Sequence, residues 1–155
     1  MKILYICTHN RCRSILSEAI TNQIAGDVIE AKSAGSQPAG VVHPLSLKYL
    51  AQTGYGIDDL ISQSWDDFEG FQPDVVVTVC DSAAGETCPL YFGSAIKLHW
   101  GLEDPSVLRG PENEIAAAFL STIQCIEKRV DQLSTVAQLP SVQWQSALFT
   151  LVSES

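Results

Sequence analysis

At 155 residues the chain is long enough to bury one substantial core and too short to require a second. Its 18 acidic against 9 basic residues give a formal charge of −9, which argues against nucleic acid or an anionic membrane as the main partner. Met1-Lys2 runs straight into a strand pattern without signal-peptide architecture, no apolar run is long enough to span a bilayer, and five cysteines are an odd number for a disulfide framework. A cytoplasmic protein with redox-active, catalytic or buried thiols is expected.

Ile3 to Ile6 reads as the first strand. The loop Cys7-Thr8-His9-Asn10-Arg11-Cys12-Arg13-Ser14 then enters a helix with apolar positions at Ile15, Leu16, Ala19, Ile20 and Ile24, closed by Gly26. Val28 to Ala31 predicts a second strand, followed by a turn-rich stretch over 33–40. Pro44 opens a helix built on Leu45, Leu47, Leu50 and Ala51 that Gly54 ends, and Ser64 caps a short helix from Trp65 to Phe68. Val75 to Val79 is continuously apolar, as a parallel strand covered on both faces should be, and Cys80 lies at its carboxyl end.

A small-residue loop carries Cys88-Pro89, and a fourth strand from Ile96 to Trp100 leads into Gly101-Leu102-Glu103-Asp104-Pro105. From Pro111 an amphipathic helix runs to about Leu133 on Ile115, Ala118, Phe119, Thr122, Ile126, Val130 and Leu133. The domain therefore covers 1–133. Residues 134–155 hold Pro140, Trp144, Leu148, Phe149 and Leu151 without a clear period and read as an extension docked on it. Cys125 is expected in the core, and His43, His99 and Trp100 are read as structural.

Strands alternating with helices predict an open four-stranded parallel α/β sheet with right-handed crossovers and helices on both faces. In such sheets ligands bind outside the strand carboxyl ends, where the strand order reverses. Cys7, Cys80 and Asp104 follow strands one, three and four at that edge. With strands one and three as neighbours, in the order 2-1-3-4, a second thiol lies beside the first.

The loop after strand one carries the chemistry. A tight turn between a strand and a helix directs backbone N–H groups and the helix N-terminus to one point, which favours an oxyanion. The peptide groups of Thr8, His9, Asn10, Arg11 and Cys12 form that cradle, Arg13 adds a forked cation, and Asn10 and Ser14 shape the loop and hydrogen-bond the thiolate. Positive surroundings lower a thiol from its free pKa of about 8.5, so Cys7 is expected to be a thiolate nucleophile at neutral pH. His9 is read equally as a substrate contact and as a solvated loop residue. Cys12 is read as packing inside the loop.

Cys7-x5-Arg13-Ser14 together with Asp104-Pro105 resembles the low-molecular-weight protein tyrosine phosphatase fold. Val77-Thr78-Val79-Cys80-Asp81 to Cys88-Pro89, followed by His99-Trp100-Gly101-Leu102-Glu103-Asp104-Pro105, is similar to the thioredoxin-coupled arsenate reductases. The resemblance implies that Cys7 attacks arsenate held by Arg13 and the loop N–H groups, while Asp104 protonates the departing oxygen. It further implies that Cys80 attacks Cys7 to release arsenite, that Cys88 then attacks Cys80, and that thioredoxin reduces the resulting disulfide, with no bound cofactor. Arsenic detoxification is the role so implied.

The sequence departs from that family at three places. His9 stands where glycine is usual, Arg11 adds a second cation, and seven residues separate Cys80 from Cys88, one more than the type has. Some members hold potassium through an Asn, a Glu, a Ser and an Asp. Asn10, Glu18 and Ser33 match, but the aspartate position is Trp65, so no metal is predicted. Two other functions use the same residues. A tyrosine phosphatase would need Cys7, Arg13 and Asp104 but neither Cys80 nor Cys88, and a non-enzymatic thiol protein would use the cysteines as metal or arsenite ligands, although no CxxC pair is present.

Overall fold

The structure, a computed structural model, describes residues 1–80 and 92–154. Four consecutive apolar residues make β1 (Lys2–Ile6) the centre of a parallel sheet. They are at most 1% exposed, so both faces of the strand are covered. β2 (Glu30–Ala34), β3 (Val75–Thr78) and β4 (Ile96–His99) complete the sheet in the order β2-β1-β3-β4, as expected. Ile3 pairs with Ala31 on one side and Val75 on the other, and Ile6 with Ala34 and Thr78.

The second strand lies later than the apolar pair Val28-Ile29 suggests. Both of their N–H groups bond the Ala25 carbonyl, at 3.0 and 2.8 Å, and the amino-terminal ammonium bonds Val28 O at 3.1 Å. This turn leaves the preceding helix, and pairing with β1 starts only at Glu30. The strand then alternates, with Glu30 and Lys32 exposed and Ala31 and Ser33 buried.

α1 (Arg13–Ile24) keeps its buried hydroxyls satisfied internally, since Ser17 donates to Arg13 O at 2.8 Å and Thr21 to Ser17 O at 2.7 Å. The Tyr5 hydroxyl meets Thr21 at 2.8 Å, joining helix to sheet through the buried face. Gly26 follows the cap residue Ala25, where a Cβ would lie 2.2 Å from Asn22 O. α2 (Pro44–Gln52) starts at His43, whose Nδ1 accepts from Leu45 N–H at 3.1 Å. It ends in a Schellman motif: Tyr55 N–H bonds Leu50 O at 2.9 Å and Gly54 N–H bonds Ala51 O at 3.1 Å, with Gly54 at φ +89°. The Ser64 cap holds as a capping box with Asp67 over the short helix Trp65–Phe68.

α3 (Glu112–Ala137) extends four residues past Leu133 and buries Phe119, Ile123, Ile126, Val130, Leu133 and Val136. Phe119 stacks on Tyr49 with ring centroids 4.9 Å apart. Cys125 is exposed rather than in the core, because it sits a third of a turn away from the Ile123–Ile126 stripe. The carboxyl-terminal stretch forms a further helix, α4 (Trp144–Glu154), with Leu148 1% exposed and the Trp144 indole N–H on Leu139 O at 3.0 Å. Among the described residues no helix is long and apolar enough to cross a membrane.

Candidate active site

Pairing continues one residue beyond each strand at the carboxyl edge of the sheet. Cys7 N–H bonds Ala34 O at 3.2 Å, Val79 N–H bonds Ile6 O at 2.9 Å, and Trp100 N–H bonds Thr78 O at 2.8 Å. The loops bearing Cys7, Cys80 and Asp104 thus leave from one edge, with β1 and β3 adjacent at the reversal of strand order.

The loop carbonyls are turned away from the site. Thr8 O accepts from Gln37 N–H, His9 O from Ala39 N–H, and Arg11 O from His43 N–H, each at 2.9 Å. The His9 N–H faces the Cys7 sulfur and favours its ionised form. Carbonyls outward and N–H groups inward is the arrangement that binds an anion. Asn10 adopts φ +47°, which asparagine tolerates better than most side chains. Its amide donates to Ser14 Oγ at 2.9 Å and Ser33 Oγ at 3.0 Å, and its oxygen accepts from Gln63 N–H at 2.7 Å. Both Asn10 and Ser14 are fully buried beneath the loop. Their side chains shape the cradle and do not line the cavity.

The cavity, of about 230 Å3, brings together Cys7, Arg13, Cys80 and Asp104, with Thr8, His9, Arg11 and Cys12 completing its wall. Arg13 donates from Nη1 to Leu102 O at 3.0 Å and from Nη2 to Asp104 Oδ2 at 3.5 Å, and its Nε is buried without a hydrogen-bond partner among the described residues. A buried cationic donor left open beside a cavity suits an oxyanion. His9 is exposed and its Nδ1 lies 3.0 Å from Gln37 O, so the ring steadies the loop. Cys88 lies outside the described residues.

The thiols differ from the expected lone thiolate. Cys7 and Cys80 are 6% and 3% exposed. Pairing with Cys80 pushes the Cys7 thiol up, burial adds to this, and Arg13 and the His9 N–H oppose it. The two sulfurs therefore titrate as one unit and do not carry two negative charges together. Thr8 Oγ1 sits 3.7 Å from Cys80 Sγ. Burial pushes Cys12 up to about 11, so it remains a thiol at neutral pH.

The buried side chains that match a potassium site are engaged with their protein neighbours. The Asn10 oxygen is taken by an N–H, the Ser33 hydroxyl donates to Glu18, and the Trp65 side chain supplies no oxygen. Among the described residues no group of three or more His, Cys, Asp or Glu is arranged to hold a metal. Burial instead holds Glu18 above its ordinary value of 4.5, against the Ser33 hydrogen bond that lowers it. A carboxyl raised by folding stabilises the fold fully below its unfolded pKa and loses that contribution as pH rises through the folded value. Glu18→Gln keeps an acceptor for Ser33 and cannot ionise. It is expected to narrow the difference between urea midpoints at about pH 5 and pH 8, and an unchanged difference would place the pH dependence elsewhere.

Three contributors carry no recognisable motif. Gly35 packs against the loop so closely that a Cβ would lie 2.5 Å from Thr8 O and 2.8 Å from Cys7 O. Gly35→Ala is expected to cost about 1–3 kcal/mol in denaturant unfolding and to weaken phosphate binding measured by calorimetry. The Leu102 carbonyl orients Arg13. Ser106 bonds Asp104 Oδ1 through both its N–H, at 2.9 Å, and its hydroxyl, at 2.6 Å.

Comparison with known proteins agrees with this geometry. The signature of the low molecular weight phosphotyrosine protein phosphatase family matches residues 2–143. The chain is 33% identical over 128 residues to the arsenate reductase of Halalkalibacterium halodurans, covering 83% of this chain and 91% of that one. It is 35% identical over 119 residues to the arsenate reductase of Bacillus subtilis, covering 76% and 84%. Among solved structures, a thioredoxin-dependent arsenate reductase of Corynebacterium glutamicum superposes with a TM-score of 0.66 at 32% identity, over 88% of this chain and 61% of that one. An arsenate reductase in a phosphate-binding state superposes at 0.71 with 24% identity, over 86% and 96%, a likeness of fold. The chain belongs to the low molecular weight phosphotyrosine protein phosphatase family, alongside relatives that are arsenate reductases.

Proposed function

We propose that this protein reduces arsenate to arsenite. The observation that carries the reading is the second buried thiol, Cys80, hydrogen-bonded to Cys7 inside the anion cavity. A phosphatase hydrolyses its covalent intermediate with water and has no use for a thiol at that position. Arsenate shares the charge and shape of phosphate, so Arg13 and the loop N–H groups suit it equally.

The Cys7 sulfur attacks arsenic, an S–As bond forms, and the departing oxygen leaves as water after taking a proton from Asp104. Cys80 attacks Cys7, an S–S bond forms, and the S–As electron pair stays on arsenic, which leaves as arsenite. Cys88 would next displace Cys7 from Cys80, and a dithiol protein of the thioredoxin class would reduce the Cys80–Cys88 disulfide. The relatives' names and the thioredoxin-dependent neighbour support this direction.

The test couples the purified protein to thioredoxin, its reductase and NADPH. Arsenate-dependent NADPH oxidation with stoichiometric arsenite is expected. Strong p-nitrophenyl phosphate hydrolysis without arsenite would overturn the reading in favour of a phosphatase. Stoichiometric metal on the cysteines with neither activity would favour a thiol-binding protein.

A further inference from the structure

The turn after β4 is tied to the anion loop across a large sequence separation. Arg11 Nη2 lies 3.4 Å from Ser106 Oγ. A guanidinium has donors only, so the Ser106 oxygen accepts there and its own proton is free to point elsewhere. It points to Asp104 Oδ1, 2.6 Å away, which also takes the Ser106 N–H at 2.9 Å. Oδ2 has the weaker engagement, 3.5 Å from Arg13 Nη2.

We propose that Ser106 is a positioning residue for Asp104: by occupying Oδ1 with two donors it confines the transferable proton to Oδ2, on the side of Arg13 and the bound oxyanion, while Arg11 holds the Ser106 hydroxyl in that orientation. This rests on the arsenate reading, in which Asp104 is the acid. When Arg13 turns to the arsenate oxygens, the proton on Oδ2 faces the leaving oxygen. As the S–As bond forms, the As–O pair goes to oxygen, the Oδ2 proton joins it, and water and an Asp104 carboxylate result. Arsenic is not reduced until Cys80 attacks.

Asp104 has charged and polar neighbours on several sides. Arg13 faces it directly, Arg11 and Cys12 reach it through Ser106, and His43 lies farther out. Cys12 stays neutral, pushed up to about 11 by burial, and burial followed by Arg11 holds His43 below its ordinary value. The Cys7–Cys80 pair shares the cavity.

The experiment compares Ser106→Ala and Ser106→Thr for arsenate reduction, each also built on Asp104→Asn. Ser106→Ala is expected to lower kcat about tenfold with KM within about twofold. Ser106→Thr, which keeps the hydroxyl, should restore kcat. On the Asp104→Asn background Ser106→Ala should cost nothing further, because the two act as one unit. An equal cost on both backgrounds, or no recovery in Ser106→Thr, overturns the assignment while arsenate reduction by the unaltered protein stands. Absence of arsenate reduction by the unaltered protein overturns the arsenate reading and this assignment with it.

Discussion

Cys80→Ser is expected to arrest arsenate reduction after the first covalent step, lowering multiple turnover by roughly 10³-fold or more. Arsenic should then be found on Cys7 by mass spectrometry, with no arsenite released, because a serine hydroxyl cannot form the S–S bond that leaves the electron pair on arsenic. The same substitution removes the neighbour that pushes Cys7 up, leaving Arg13 and the His9 N–H to favour ionisation against burial. Cys7 should accordingly alkylate at lower pH in the variant than in the parent. Any p-nitrophenyl phosphate hydrolysis should survive, since water suffices there. Undiminished arsenite production by Cys80→Ser would remove this thiol from the reaction.

The second large effect belongs to Arg13. Its guanidinium joins the Leu102 carbonyl to Asp104 and keeps a buried Nε for the anion. Arg13→Gln is expected to lose about 10²–10³ in kcat/KM for arsenate, the scale of one preorganised donor to a developing oxyanion. Arg13→Lys should recover little, because a single ammonium cannot serve a carbonyl, a carboxylate and an anion at once. Steady-state kinetics with phosphate as competitor would check this. Unchanged phosphate inhibition in both variants would show that the anion is held elsewhere.

Much of this arrangement is legible in the chain. The continuous apolar runs at Ile3–Ile6 and Val75–Val77 identify strands buried on both faces, and once the order 2-1-3-4 is taken for the sheet, Cys7 and Cys80 become neighbours at its reversal. The misplaced second strand shows the limit: Val28-Ile29 is more apolar than Glu30–Ala34, but an edge strand needs only an alternating buried face. Cys125 was misassigned because a helix buries a stripe, and membership of the helix says nothing about the side of it. The last helix has Trp144, Leu148 and Leu151 at spacings of four and three, a signal short enough to be lost behind Pro140.

Within the site, Cys7 and Arg13 are legible because a strand, a loop and a helix frame them. Ser106 is not, because its meaning comes from Arg11, 95 positions away. Gly35 is equally silent, since only the folded loop reveals how little room it leaves. The coupled titration of Cys7 and Cys80 likewise depends on contact that a one-dimensional reading supplies only as adjacency of strands. Sequence yields the charge beside a thiol more readily than the second thiol that competes with it.

Among the described residues the order β2-β1-β3-β4 also leaves two strands with an unpaired outer side. β2 carries Glu30 and Lys32 exposed, and β4 carries Lys97 and His99 exposed. Strand-to-strand joining between copies would draw these charged side chains into each new ladder and desolvate them. Charged side chains on a short border strand are a recognised guard against such growth. The polar residues that hide β2 from a hydrophobicity search thus have their own use: they keep a sheet with two open borders from recruiting its neighbours.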